Sequence, residues 1–241
     1  MPTVHDLADA LAPALDRARY HRDGDPAGVW LASSRDVRRL GLRLDAGRPP
    51  YAWADGLDAV LIHRPFGLWP ARLPAGVGVL AAHRALDDRL SVGTDPALLD
   101  ALGLVPDGEP LTRDGTPVGR VGRRRQSLAD AVAAVVAALG GVEEAIGPEP
   151  DGVEAVALAG AMTAELVETA AAHGAGLYVT GQIRGPARAT VQACGLRAVA
   201  VGQDRAEAWG LRRLGRLVQE RWPGVEVVEI DLPATGQADS A

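Results

Sequence analysis

Residues 58–65 have the sequence Asp-Ala-Val-Leu-Ile-His-Arg-Pro, in which a continuous apolar run stops at a histidine. Residues 77–82, Val-Gly-Val-Leu-Ala-Ala, form a second such run, which stops at His83. Short apolar runs without polar alternation are typical of strands that are buried on both faces. The two runs therefore predict two buried strands of an α/β protein, each ending at a histidine.

The rest of the chain alternates between helix and strand patterns, which favours an α/β fold with largely parallel sheets. Residues 105–118 are rich in Pro, Asp and Gly and predict a turn-rich connection at the midpoint. This connection divides the chain into an N-terminal α/β half, residues 1–110, and a C-terminal α/β half, residues 111–241. Helices are predicted over 3–19, 96–102, 127–139, 162–173, 186–194 and 204–221, and further strands over 27–31, 38–44, 153–159, 177–180, 196–201 and 225–230.

Composition excludes several classes of function. The 241 residues are 47% hydrophobic and 23% charged with a net charge of −6, so no electrostatic attraction to nucleic acid or an anionic membrane is expected. All 25 basic residues are arginine, which excludes Schiff-base lysine chemistry and a P-loop lysine. The single cysteine, Cys194, has no partner for an internal disulfide. The N-terminus carries acid where a signal peptide carries base, and the apolar run 129–139 is too short to span a bilayer, so a cytoplasmic protein is predicted.

Candidate functional residues follow the predicted strands, because ligands of open α/β sheets bind beyond the carboxyl ends of the strands. His63 follows one strand, and His83 follows another with Asp87 four residues later. Gln203 follows a third strand, with Glu207 four residues later. Two imidazoles and two carboxylates suit Zn, Fe, Mn or Ni. The alternatives are hydrogen-bonded structural histidines, a helix cap or solvated charge at Asp87, and a surface ion pair at Glu207.

A basic stretch precedes the helix predicted over 127–139. Residues 119–125 have the sequence Gly-Arg-Val-Gly-Arg-Arg-Arg. Backbone N–H groups and guanidinium side chains of this kind can hold a phosphate, so Arg120 is a candidate anion contact. The alternative interpretation is a solvated turn. A dinucleotide-binding fingerprint and a G-x-S-x-G nucleophile motif are both absent from the sequence.

Five segments in register resemble motifs of the NGG-interacting factor 3-like family, also called GTP cyclohydrolase 1 type 2-like proteins. The resemblance extends over residues 25–231. It implies a duplicated fold of two pseudo-symmetric α/β halves with the site between them, a toroidal homohexamer and a pair of divalent metal ions. The segments are Asp58–Pro65, similar to "D-hydrophobic-I-T-H-H-P"; Val79–Asp87, similar to "Y-A-A-H-T-N-L-D"; Gly119–Gly122, similar to "G-R-x-G"; Ala172–Gln182, similar to "G-A-D-x-Y-x-T-G-E"; and Gly202–Glu207, similar to "G-H-x-x-x-E".

The resemblance carries the family's metal ligands onto His63, Asp87 and Glu207, and it places His83 beside the metals. Two further ligand positions, which are histidines in the family, are Arg64 and Gln203 here. A guanidinium has no lone pair for a metal and stays protonated, and glutamine offers only a neutral carbonyl oxygen. The sequence therefore predicts one metal ion rather than two. Alternatively it predicts none, with Arg64 pairing with Asp87 or Glu207 in place of a cation.

Three functions follow from these observations. The first is a ligand-binding or scaffold hexamer with a degraded dinuclear site. The second is a metal-dependent hydrolase in which one divalent metal activates a water, His83 or Glu207 moves the proton, and Arg120 contacts an anionic group of a nucleotide-like substrate. The third is an unrelated α/β enzyme outside the family.

Overall fold

The structure is a computed structural model that describes residues 1–22 and 24–236. The helices are α1 Val4–Leu15, α2 Arg17–Arg22, α3 Arg84–Arg89, α4 Pro96–Ala101, α5 Leu128–Leu139, α6 Ala164–Ala172, α7 Arg188–Ala193 and α8 Gln203–Arg221. The strands are β1 Gly28–Leu31, β2 Arg39–Asp45, β3 Ala59–Arg64, β4 Gly78–Ala81, β5 Val105–Arg113, β6 Thr116–Ser127, β7 Glu144–Ile146, β8 Gly152–Ala159, β9 Leu177–Thr180, β10 Arg197–Ala200 and β11 Glu226–Glu229. The predicted α/β class is confirmed. Within the described part of the chain, no helix combines the length and apolar character that a membrane span needs.

By its contacts the chain divides into two units, the first formed by Met1–Leu86 and Glu207–Leu232. The sheet of this first unit has the strand order β1-β4-β3-β2-β11. In this sheet β4, β3, β2 and β11 run parallel to one another, and β1 pairs antiparallel with β4 at one edge. The continuous apolar runs are β3 and β4, whose residues are buried apart from the partly buried Arg64. Both lie inside the sheet, as runs without alternation predict.

The second unit is formed by Asp87–Ala206 with the segment from Pro233 onward. Its sheet has the order β5-β6-β8-β9-β10-β7. Only the pairs β8–β9 and β9–β10 are parallel among the described pairings of this sheet. The expectation of largely parallel sheets therefore holds for the first unit and is wrong for the second, because β5, β6 and β7 pair antiparallel.

The segment 105–118 is where the structure departs most from the sequence prediction. The pattern predicts a turn-rich connection, but Val105–Arg113 and Thr116–Ser127 form a long antiparallel hairpin. The turn itself is short, with positive φ at Asp114 and Gly115. Proline is tolerated on an edge strand, and β5 is an edge strand with shifts in register. The two units that the contacts define have other bounds than the two halves 1–110 and 111–241.

Candidate functional site

Parallel pairing brings the carboxyl ends of β2 and β3 side by side. Asp45 is the last residue of β2 and lies in register with Arg64, the last residue of β3. His63 precedes Arg64 in the same strand. His63 is fully buried. The strand end therefore presents an imidazole and a guanidinium in adjacent positions.

Glu207 lies on α8 and faces the interior. Its side chain is 1% exposed, and its Oε2 is 3.2 Å from Nδ1 of His63. The same helix buries Leu211 and Leu214, so the Glu207 side of α8 packs into the protein. The alternative of a surface ion pair at Glu207 is therefore wrong, because the carboxylate is removed from solvent.

Arg64 links two carboxylates. Its Nη1 donates to Oε1 of Glu207 at 2.9 Å, which matches one of the two pairings predicted for this guanidinium. Its Nε and Nη2 donate to the two carboxylate oxygens of Asp45, at 2.7 and 3.0 Å. These hydrogen bonds from Arg64 lower the pKa of Asp45, although partial burial opposes them. The sequence pattern did not single out Asp45, whose only signal is its position at the end of a predicted strand.

The ligand-bearing groups of His63, Asp87 and Glu207 come together, since one ligand atom from each lies within 4.8 Å of the others. An imidazole and two carboxylates are a donor set that fits one divalent transition-metal ion. The residues do not fit a second ion at the Arg64 position, because the guanidinium already donates to Glu207 and offers no lone pair. The donor set in this structure thus suits at most one metal.

His83 is held by a carboxylate that sequence reasoning did not single out. Asp25 accepts hydrogen bonds from the backbone N–H groups of Arg84 and Ala85, at 3.1 and 3.2 Å, and lies 3.3 Å from Nδ1 of His83. Burial raises the pKa of Asp25, but the hydrogen bonds with His83, Ala85 and Arg84 outweigh it, so the net pKa is lowered. The His83 ring lies 5.2 Å from the ring of His63. An ordered imidazole therefore stands beside the candidate metal ligands.

Gln203 and Arg120 belong to the second unit by their contacts. Gln203 begins α8, and its Oε1 lies 2.8 Å from the point where a Cβ on Gly181 would stand. Arg120 lies within β6 opposite Leu158, so the interpretation of residues 119–125 as a turn is wrong. The Nε atom of Arg120 is buried and has no hydrogen-bond partner among the described residues. Its role as an anion contact stays a prediction.

The chain is similar to known proteins over nearly its whole length. The family model described as Duf34/NIF3 (NGG1p interacting factor 3) matches residues 2–235. A GTP cyclohydrolase 1 type 2 homolog of Allochromatium vinosum is 28% identical, with 97% of this chain and 98% of that protein covered. A protein of the same name from Archaeoglobus fulgidus is 23% identical, with 88% and 91% covered.

The fold is also found among solved structures. TTHA1606 from Thermus thermophilus superposes with a TM-score of 0.74 at 22% identity, and the match covers 97% of this chain and 99% of that one. At this level of identity the likeness concerns the fold. The expected duplicated α/β fold is thereby confirmed.

Proposed function

Because this chain belongs to the Duf34/NIF3 (NGG1p interacting factor 3) family, we propose that it is a ligand-binding or scaffold member in which the metal pair expected from the family resemblance is reduced to one ion or none. The observation that carries this proposal is the hydrogen bond from Arg64 Nη1 to the buried Glu207 Oε1, at 2.9 Å. A permanently charged guanidinium here occupies one side of a carboxylate that would otherwise be free to bind metal.

Electrostatics support the reduced metal content. Arg64 brings a fixed positive charge between two carboxylates, Asp45 and Glu207. A second divalent cation at this position would be repelled by that charge and would lack a histidine ligand. The remaining group, His63, Asp87 and Glu207, suffices for a single ion.

The proposal extends to the assembly and the ligand. By the family resemblance we expect a homohexamer that acts in the cytoplasm. Two relatives carry the name GTP cyclohydrolase 1 type 2 homolog, so a small anionic or nucleotide-like ligand is the class to test first. Arg120 would be the contact for its anionic group.

The deciding experiment measures metal per chain in protein purified without chelator, by inductively coupled plasma mass spectrometry. We expect at most one Zn, Fe, Mn or Ni ion per chain in the wild type. The double variant Arg64→His with Gln203→His should take up a second ion and gain thermal stability on metal addition, because binding to the folded state alone stabilises it.

A matched control adds two imidazoles elsewhere. Arg39 pairs with Glu226 at the surface and Gln192 is exposed, so Arg39→His with Gln192→His should leave the metal content unchanged. Two ions per wild-type chain, or no gain in the site variant, would contradict the proposal.

A second candidate function is a metal-dependent hydrolase, and the closeness of His63, Asp87 and Glu207 favours it. A divalent ion bound there would supply a water of lowered pKa. His83 would hold or move a proton at Nε2, because its Nδ1 faces Asp25.

The test is hydrolysis of GTP with one equivalent of metal. His83→Asn should abolish turnover at unchanged metal content, and metal-loaded wild type without turnover would reject this candidate.

A further inference from the structure

Four aromatic rings form a row from the surface to the candidate metal ligands. Trp30 and Phe66 meet edge to face with ring centroids 6.3 Å apart, and Phe66 meets His83 in the same manner at 5.1 Å. His83 in turn lies beside the buried His63. The outer two rings are open to solvent, since Trp30 is 43% and Phe66 55% exposed.

A cavity of about 340 Å³ opens at the outer end of this row. Trp30, Phe66 and Pro26 line it together with other residues of β1, and His21 and Asp25 also belong to its wall. Its size lies at the lower end of the range for small-molecule sites, which are mostly apolar with a few polar groups that orient the ligand.

We propose that this cavity, which we call the aromatic pocket, binds a planar nitrogen heteroaromatic ring such as a nucleobase against Trp30 and Phe66. Exposed aromatic rings provide a surface on which flat rings stack with little regard to their exact substituents. Phe66 belongs to both the pocket wall and the ring row, so the pocket is separated from His83 by a single aromatic ring. This inference rests on the proposed ligand-binding function and adds the site at which the ring of the ligand binds.

Asp25 connects the pocket to His83. It lies on the pocket wall. Its Oδ1 accepts from the Arg84 amide and lies 3.3 Å from Nδ1 of His83, and its Oδ2 accepts from the Ala85 amide. With its oxygens engaged in this way, Asp25 is a positioning residue and not a ligand contact. It holds Nδ1 of His83 toward itself and thereby fixes the orientation of the imidazole ring beside Phe66.

The test is direct binding of adenosine and guanosine to the full chain by isothermal titration calorimetry, with ribose as the non-aromatic comparison. We expect both nucleosides to bind and ribose to give no heat. Trp30→Ala and Phe66→Ala should each weaken nucleoside binding roughly tenfold or more, because each removes a stacking surface. Trp69 is 60% exposed and lies outside the pocket lining, so Trp69→Ala is the matched control and should bind as the wild type does.

Three results would overturn the inference: no nucleoside binding, equal binding of ribose, or undiminished binding in both pocket variants. A fall in assembly mass in Trp30→Ala and Phe66→Ala without nucleoside binding would assign these rings to a subunit contact instead. Failure here is separable from failure of the proposed function. The pocket is tested by the heat of nucleoside binding to the wild-type protein. The proposed reduction of the metal site is tested by the metal content per chain.

Discussion

At the end of β3 a single guanidinium contacts two carboxylates, and one of them is buried. Arg64 binds both oxygens of Asp45 and one oxygen of Glu207. Removing a partner from a buried ion pair costs far more than the pair contributes as a whole, because the remaining charge is left without compensation. The network is thus most sensitive to loss of the Arg64 guanidinium, which would leave the buried Glu207 carboxylate without a compensating charge.

We therefore expect Arg64→Met, which keeps an unbranched side chain but leaves the buried Glu207 carboxylate without its guanidinium, to lower the free energy of unfolding by about 2–4 kcal/mol. Urea denaturation at neutral pH measures this change. Arg39, which pairs with the exposed Glu226 at the surface, gives the matched control Arg39→Met, for which the loss should stay below about 1 kcal/mol. Equal losses in the two variants would show that Glu207 is not held as described.

Asp25 predicts a dependence of stability on pH. Its pKa is lowered from the ordinary value of 3.8 in the folded state, so its charged form stabilises the fold above that value and this stabilisation is lost as the pH falls through the folded pKa. Asp25→Asn should cost about 1–3 kcal/mol at neutral pH. The difference from the wild type should shrink below about pH 4 in urea denaturation series, as the unfolded carboxyl becomes protonated.

The control for this series is Asp9→Asn, because Asp9 is largely exposed and pairs with Arg17 at the surface. Its effect should remain below about 1 kcal/mol at every pH. A gap between wild type and Asp25→Asn that widens in acid would contradict the lowered pKa.

The sequence could identify His63 and His83 as candidates because each follows the end of a predicted strand. It could identify Glu207 because it stands four residues after Gln203, which follows another predicted strand. It could not identify Asp25 or Asp45. Asp45 becomes a partner of Arg64 only through the register of β2 against β3, and Asp25 reaches the amides of Arg84 and Ala85 from almost 60 residues away. Neither relation leaves a local pattern.

At the level of elements, strands buried on both faces were predictable and the β5–β6 hairpin was not. Glycine and proline in residues 105–118, and glycine in residues 119–125, resemble turn punctuation, but in β6 Gly119 and Gly122 serve close packing. A Cβ on Gly119 would stand 2.5 Å from the Leu158 carbonyl oxygen, and one on Gly122 would stand 2.7 Å from Leu99. Glycine in a sequence is therefore compatible with either a turn or a tight contact. Which of the two it forms depends on the residues that pack against it in the fold.

Gly119→Ala should therefore lower the free energy of unfolding by about 1–3 kcal/mol, since backbone atoms of β8 cannot move aside without disturbing the sheet. Differential scanning calorimetry would show the change as a lower Tm. Gly185 has open space at its Cβ position, so Gly185→Ala is the control and should leave Tm nearly unchanged. An unchanged Tm in Gly119→Ala would contradict the tight β6–β8 approach.

For the whole molecule, the family resemblance predicts an assembly of six chains. Since one chain has a mass of 25.0 kDa, sedimentation velocity should give a species of about 150 kDa that persists on dilution to micromolar concentration. A stable 25.0 kDa species would reject the hexamer.

The ion pairs of Arg64 with Asp45 and Glu207 also differ from a bound metal ion in how they depend on the metal supply of the cell. A bound transition-metal ion depends on uptake, competes with other ions and is lost when the cell is starved of it. A guanidinium is synthesised with the chain and keeps its charge at every physiological pH. The ion-pair network of Asp45, Arg64 and Glu207 therefore forms as the chain folds, whatever the supply of zinc, iron or manganese.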